Sequence, residues 1–351
     1  MSLSDQLARR IERSWQSNDW LAQLLRPLGA LHHAMFAVRA LAYRCGLAKV
    51  EVLPVPVLVV GNWVVGGAGK TPTMLALLQH LSAQGVSCGV VSRGYGRQSH
   101  EVRLVQPHDS GTDVGDEPLL IALRSRVPVA VGADRVAAAR ALLQAHPGIQ
   151  LLLSDDGLQH WRLPRALSVL VFDERGVGNG RMLPAGPLRQ PGDVAAWPGH
   201  GAARLVLYNA KVPSTALPGH LAHRAPGGLL TLRQWSEQPL AQGTPLSKLQ
   251  GRTLLAAAGI ANPQRFFDLL REQGLSFEAL PLPDHASLDP LPWNLDTETV
   301  VTEKDAAKLR HLAHLDPPIW VLRLDFRPDP EFFAALQARL QPLLPHGPKT
   351  D

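Results

Sequence analysis

Residues 55–78 read VPVLVVGNWVVGGAGKTPTMLALL, an apolar stretch of strand length that runs into a glycine-rich loop, a Lys-Thr pair and a helix-forming run. That order gives a phosphate-binding loop its meaning. Gly66, Gly67 and Gly69 let backbone N–H groups turn toward phosphate oxygens, and the helix N-terminus behind them adds positive potential. Lys70 is placed to reach the terminal phosphates, and the Thr71 hydroxyl suits a Mg2+ ion. Nucleotide contacts are therefore expected from Val64, Val65, Gly66, Gly67, Ala68, Gly69, Lys70 and Thr71. One position departs from GxxxxGK[ST]: Val64 stands where that pattern begins with glycine.

Downstream of this loop, strands alternate with helices. Val55 to Val60, Ser87 to Ser92, Val127 to Val131, Ile149 to Ser154 and Leu167 to Phe172 read as strands. Lys70 to Gln84, Asp116 to Arg124 and Asp134 to Gln144 read as helices. The βαβ order predicts an α/β fold, a P-loop-type parallel sheet covered by helices on both faces. Leu205 to Tyr208 is expected to close that sheet as its last strand. Residues 213–250 are rich in Pro and Gly and read as a linker with at most a hairpin. A second alternation, 251–351, predicts a smaller C-terminal α/β lobe, so the nucleotide-binding core is set at 51–212.

The strand ending at Ser154 delivers Asp155 and Asp156, followed by Gly157, where nucleotide enzymes put a carboxylate beside Mg2+. Adjacent carboxylates repel unless a cation or proton lies between them, which makes Thr71, Asp155 and Asp156 the expected metal set. The guanine-reading NKxD sequence is absent, since Asn209 is followed by Ala210, Lys211 and Val212. A DxxG switch is absent too, with Ser154 three positions before Gly157. A signalling GTPase is thereby disfavoured.

The chain has 351 residues, 45% of them hydrophobic, with 30 Pro, 30 Gly and a net charge of +5. So many Pro and Gly exclude a coiled coil or simple bundle. The two cysteines, Cys45 and Cys88, build neither a disulfide framework nor a zinc site, and the cytoplasm is the expected compartment. The charge is uneven: residues 1–50 hold seven Lys/Arg against three acids. From Trp20 to Leu47 apolar residues recur at three and four but are interrupted by Arg26, His32, His33, Arg39 and Arg44, too often for a spanning helix. The segment reads as an amphipathic helix kinked near Pro27. It either lies on an anionic bilayer or packs on its own protein. With aromatic content at 5% and basic excess confined to this end, no nucleic-acid partner is expected.

Eight blocks in order carry a resemblance: GNWVVGGAGKTP at 61–72, VSRGYGR at 91–97, VGDEPLLIA at 114–122, GADR at 132–135, DDGLQHWRL at 155–163, GNGRMLPAGPLR at 178–189, PDH at 283–285 and VTEKDAAKL at 301–309. Through them most of the chain resembles the tetraacyldisaccharide 4'-kinases (lipid A 4'-kinases) of Gram-negative bacteria. The resemblance implies ATP- and Mg2+-dependent phosphorylation of the 4'-hydroxyl of an acylated glucosamine disaccharide 1-phosphate. It also implies a peripheral location at the cytoplasmic face of the inner membrane, two α/β lobes around a cleft, and a lipid-associated N-terminal helix. Gln190 stands where the family commonly has an acid, and Leu158 where it often has an aromatic.

The same resemblance makes Asp116 and His285 an acid-base pair, with Lys70 acting on the transferred phosphate. From the residues alone, Asp116 serves equally as a helix N-cap, and Asp284 competes with His285 as the orienting group. Arg93, Arg135, Asn179 and Arg189 are candidates for substrate or phosphate, not allocated further. Thr302 to Asp305 read as a capped helix start. The competing class is a P-loop ATPase that acts as a switch or metal-insertion chaperone, hydrolysing nucleotide without phosphorylating a lipid.

Overall fold

The computed structural model describes residues 3–192, 203–314 and 318–344. Three helices, α1 (Leu3–Ser17), α2 (Trp20–Leu24) and α3 (Arg26–Arg44), precede the sheet. The first half then runs β1 (Val57–Gly61), α4 (Lys70–Ala83), β2 (Cys88–Ser92), β3 (Arg103–Leu104), α5 (Gly111–Val114), α6 (Asp116–Ser125), β4 (Val129–Val131), α7 (Arg135–Ala145), β5 (Leu151–Asp155), β6 (Leu167–Asp173) and β7 (Ala203–Asn209). The remainder is β8 (His220–Thr231), α8 (Leu232–Glu237), β9 (Leu255–Ala258), α9 (Pro263–Glu272), β10 (Glu278–Pro281), β11 (Thr299–Thr302), α10 (Glu303–Leu309), β12 (Ile319–Pro328) and α11 (Pro330–Leu340).

The strands form one sheet in the order β10-β9-β11-β12-β8-β7-β6-β1-β5-β2-β4-β3. β1, β2, β5 and β6 are buried along their whole length, as strands covered on both faces must be. Alternate β1 residues serve opposite layers. Val57 and Val59 meet Phe36, Ala40, Ala138 and Trp161, while Leu58 and Val60 meet Met74, Leu77, Phe332 and Leu336. The two-residue period of a strand thus builds two cores from one sequence.

Three expectations change. First, β7 does not close the sheet, and the segment expected as a linker contains the twelve-residue β8. That strand pairs parallel with β7 through His220 and Leu221, then antiparallel with β12 from Ala222 to Thr231 across a bulge at Leu322/Leu324. Pro226, Gly227 and Gly228 disguise it as a loop. They are tolerated because the ladder is interrupted there and the Gly228 backbone, at φ +95, lies against Gly243. Second, the final helix does not belong to the C-terminal lobe: Phe332, Leu336 and Leu340 of α11 complete the core beneath β1 and α4. Residues 345–351 of that expected lobe lie outside the described residues. Third, the halves share a core in which Leu119, Leu120 and Val131 meet Leu230, Val301 and Leu309, tied by an ion pair between Arg124 and Glu303.

At the N-terminus the helix breaks, not kinks, before Pro27. α2 ends at Leu24, and α3 takes Pro27 into its first turn, where proline loses no hydrogen bond. One face of α3 packs on the protein. Phe36 meets the Trp161 ring edge-on at 4.9 Å, and the Arg39 guanidinium lies 4.5 Å from that ring. The other face leaves Leu28, Leu31, Met35 and Val38 exposed, as are Trp20 and Leu24 of α2, each by more than half. No helix among the described residues is long and apolar enough to cross a membrane.

Candidate active site

The phosphate loop begins where β1 ends. Gly66 and Gly69 both adopt φ +97, with Gly69 capping α4, a conformation that costs glycine nothing and other residues about 1 kcal/mol or more. Lys70 is the first residue of the helix. Ala68 is held from behind by the Asn209 amide, which donates to its carbonyl at 2.9 Å. Val64 and Val65, expected among the nucleotide contacts, anchor the loop instead. The Val64 side chain is in the core, and the Val65 N–H donates to Pro187 O at 2.9 Å. The valine that breaks the glycine pattern is thus a packing residue, and the amides from Gly66 onward are those open to phosphate.

Asp155 ends β5, fully enclosed. Its Oδ2 accepts from Ser92 Oγ at 3.0 Å, whereas Oδ1 is buried with no partner. Burial first, then the neighbouring charges of Glu117 and Asp156, push its carboxyl up to about 7. Asp156 follows at φ +49. Burial works against its charge too, but Lys70 at 3.8 Å and a two-pronged Arg189 pair at 2.8 Å hold it below the ordinary value. Among the described residues no three His, Cys, Asp or Glu converge as a metal cluster. The donor set fits Mg2+ all the same, because that ion binds through one or two carboxylates, phosphate oxygens and water, and an unpartnered buried carboxylate oxygen is what it would satisfy.

Asp116 and His285, 169 positions apart, meet: His285 Nδ1 lies 3.1 Å from Asp116 Oδ2. His285 itself sits at φ +60, a left-handed backbone that is uncommon outside glycine and often stored at functional sites. The N-cap reading of Asp116 fails, since Gly115 is the cap and Asp116 is the first residue of α6. Burial raises the carboxyl, but the His285 hydrogen bond and the charges of Lys308 and Lys304 outweigh it and leave the group below its usual range.

The arginines divide. Arg189 is engaged by Asp156 and by Asn62 O at 3.0 Å, so it positions an acid where a phosphate contact was expected. The amide of Asn179 is engaged inside its own loop by Ala185 O and Arg181 N, and it is removed from the candidates. Arg135 is buried with its Nε unpartnered, and Arg93 is exposed just beyond β2. Sequence reading missed Lys304 and Lys308, which reach Asp284 at 2.8 Å and Asp116 at 3.1 Å. Their signal was present as a lysine pair four apart in VTEKDAAKL. Thr302 does cap α10, but Asp305 turns to Gly259 N and Thr302 Oγ1, not to the Thr302 N–H of a capping box.

A cavity of about 970 Å3 is lined both by Gly69, Lys70 and Thr71 and by Glu117, Asp284 and Lys304, neighbours of the Asp116–His285 pair. A family model described as tetraacyldisaccharide-1-P 4'-kinase matches residues 21–341. Tetraacyldisaccharide 4'-kinases of Leptothrix cholodnii and Methylibium petroleiphilum are each 50% identical, over 96% and 95% of this chain and 97% and 94% of theirs. The crystal structure of the Aquifex aeolicus homologue in complex with ATP superposes with a TM-score of 0.77 at 26% identity, covering 93% of this chain and all of that one. The chain belongs to the tetraacyldisaccharide 4'-kinase family.

Proposed function

We propose that the protein transfers the γ-phosphoryl group of ATP to the 4'-hydroxyl of a tetraacylated glucosamine disaccharide 1-phosphate, a step of lipid A biosynthesis. The observation that carries this reading is the single cavity with a phosphate loop on one wall and residues bordering the Asp116–His285 pair on the other. ATP phosphates lie against the amides of Gly66 to Thr71, with the Lys70 ammonium on the terminal oxygens. Thr71, Asp155 and Asp156 would hold Mg2+, which would supply positive charge to the transferring phosphate.

The sugar oxygen forms its bond to the γ-phosphorus as the bond to the bridging oxygen breaks. ADP leaves, and the hydroxyl proton passes to Asp116. A carboxylate of lowered basicity suits this step, because in a loose transition state the attacking oxygen keeps its proton until late and needs chiefly to be aimed. Arg93 and Arg135, near the acids, are offered to the substrate's anionic groups.

The exposed apolar side chains of α2 and α3, on a segment where Lys and Arg outnumber acids, support a peripheral position on an anionic membrane where an acylated substrate resides. The test supplies γ-labelled ATP and the acylated disaccharide 1-phosphate in mixed micelles. Label in the glycolipid is the expected result. Label released only as inorganic phosphate would favour the switch ATPase instead.

A further inference from the structure

Lys304 and Lys308 are four positions apart, so both side chains lie on one face of α10, and each is only about a tenth exposed, at 12% and 11%. Lysines are seldom so enclosed without an assigned partner. Lys308 Nζ lies 3.1 Å from Asp116 Oδ2 and donates to Ala286 O at 2.9 Å. One ammonium therefore joins the carboxylate on α6 to the loop that carries His285. Lys304 Nζ reaches Asp284 Oδ1 at 2.8 Å, Glu117 Oε1 at 3.6 Å and His285 Nε2 at 3.3 Å. An ammonium can only donate. Nε2 is thereby the ring's acceptor, and Nδ1 carries the proton offered to Asp116.

We propose that Lys304 and Lys308 are positioning residues for phosphoryl transfer: Lys308 keeps Asp116 anionic and joined to the His285 loop, and Lys304 fixes which ring nitrogen faces Asp116. The proposal rests on the reading of Asp116 as the acceptor of the hydroxyl proton. A simple strut between halves is already provided by Arg124 and Glu303. The lysines differ from it because their contacts are with the pair itself. The charged and titratable groups around Asp116 are Glu117 on its own helix, Asp284 and His285 from the loop after β10, and Lys304 and Lys308 from α10. Removing Lys308 takes away its charge and its hydrogen bond and leaves only the His285 hydrogen bond and the Lys304 charge against burial, so the carboxylate becomes harder to ionise.

The experiment compares pH–rate profiles of Lys308→Gln, Lys308→Arg and Lys304→Met with wild type, in single-turnover transfer beside thermal melts. Lys308→Gln keeps a hydrogen-bond donor and loses the charge. Its rate is expected to fall about tenfold at neutral pH, with KM for ATP within about twofold, and its acidic limb to move up by about one to three pH units. Lys308→Arg, which keeps the charge and bears the test if the glutamine variant does not fold, is expected to leave the limb at the wild-type position. Lys304→Met added to His285→Ala should do little further harm, as expected of residues acting through one group. A Lys308→Gln limb superimposed on wild type, or a shifted limb in Lys308→Arg, overturns the proposal, as do multiplicative losses in the Lys304/His285 double variant. Asp116→Asn separates the two readings. Wild-type transfer by that variant defeats the proton-acceptor reading itself, whereas an inactive variant beside an unmoved Lys308→Gln limb defeats only the lysine proposal.

Discussion

Asp116 Oδ2 lies 3.1 Å from both His285 Nδ1 and Lys308 Nζ, so its replacement affects activity and stability by separate routes. Replacing it by Asn removes the proposed proton acceptor, a loss that typically costs about 10²- to 10⁴-fold in rate. It also strands the Lys308 ammonium 3.1 Å away, and a buried charge without its partner costs up to about 3 kcal/mol. Melting temperature should therefore fall in Asp116→Asn and recover in Asp116→Asn with Lys308→Gln, while transfer stays lost in both. Recovery of transfer in the double variant would assign Asp116 a structural role. Asp155 gives a pH-dependent counterpart. Its folded-state value, raised to about 7 by burial and by Glu117 and Asp156, lies above that of the unfolded chain, so the fold binds the extra proton. Its stability falls as pH rises from about 4 to 7. Asp155→Asn should thus melt higher than wild type at pH 8 without nucleotide, match it near pH 4, and transfer no phosphate. A lower melt at pH 8 would contradict the assignment. These residues were legible by spacing or resemblance, but their charge states were not, because Lys308, Glu117 and Ser92 meet them only after folding.

The N-terminal helices illustrate what periodicity can reveal at the scale of an element. Two faces were present in the sequence, which left open whether the segment lies on a bilayer or packs on its own protein. The structure packs one of them: Phe36 and Ala40 lie inward near Trp161, and Leu28, Leu31 and Met35 are exposed. Deleting the segment would uncover Trp161 and confuse folding with membrane binding, so surface substitutions discriminate better. Leu31→Asp with Met35→Asp should reduce flotation with anionic vesicles about tenfold or more, since burying each such side chain contributes roughly 1.5–3 kcal/mol, and leave the melt nearly unchanged. Phe36→Ala should instead cost about 3–5 kcal/mol of stability. Equal flotation of the double Asp variant would mean that the exposed face has another use. β8 shows the opposite limit. Pro226, Gly227 and Gly228 imitate a loop, and only their pairing with β12 across a bulge makes a strand of them, a fact of tertiary context that no local pattern contains.

Across the whole molecule the chain crosses between halves more often than its sequence order suggests. β8 bridges two strand sets, α11 returns to the first core, and Leu119 and Leu120 share a cluster with Val301 and Leu309. The halves are consequently not separable folding units. A chain ended at residue 329, without Phe332, Leu336 and Leu340, should lose several kcal/mol from the core beneath the phosphate loop, because each large buried side chain contributes about 2–5 kcal/mol. A cooperative melt at the full-length temperature would refute that reading. The shared core also explains why the pair spanning 169 positions is already assembled at 3.1 Å: Leu119 and Leu288, both in that core, each lie three positions from a member of the pair. The most direct test follows the γ-phosphoryl group in a single turnover, with ATP and the acylated disaccharide 1-phosphate supplied to wild type and to Asp116→Asn. The account predicts label on the 4'-oxygen with wild type, and at least about a hundredfold slower transfer by the variant with ATP binding retained. Hydrolysis without labelled glycolipid, or equal rates for the two proteins, would contradict it.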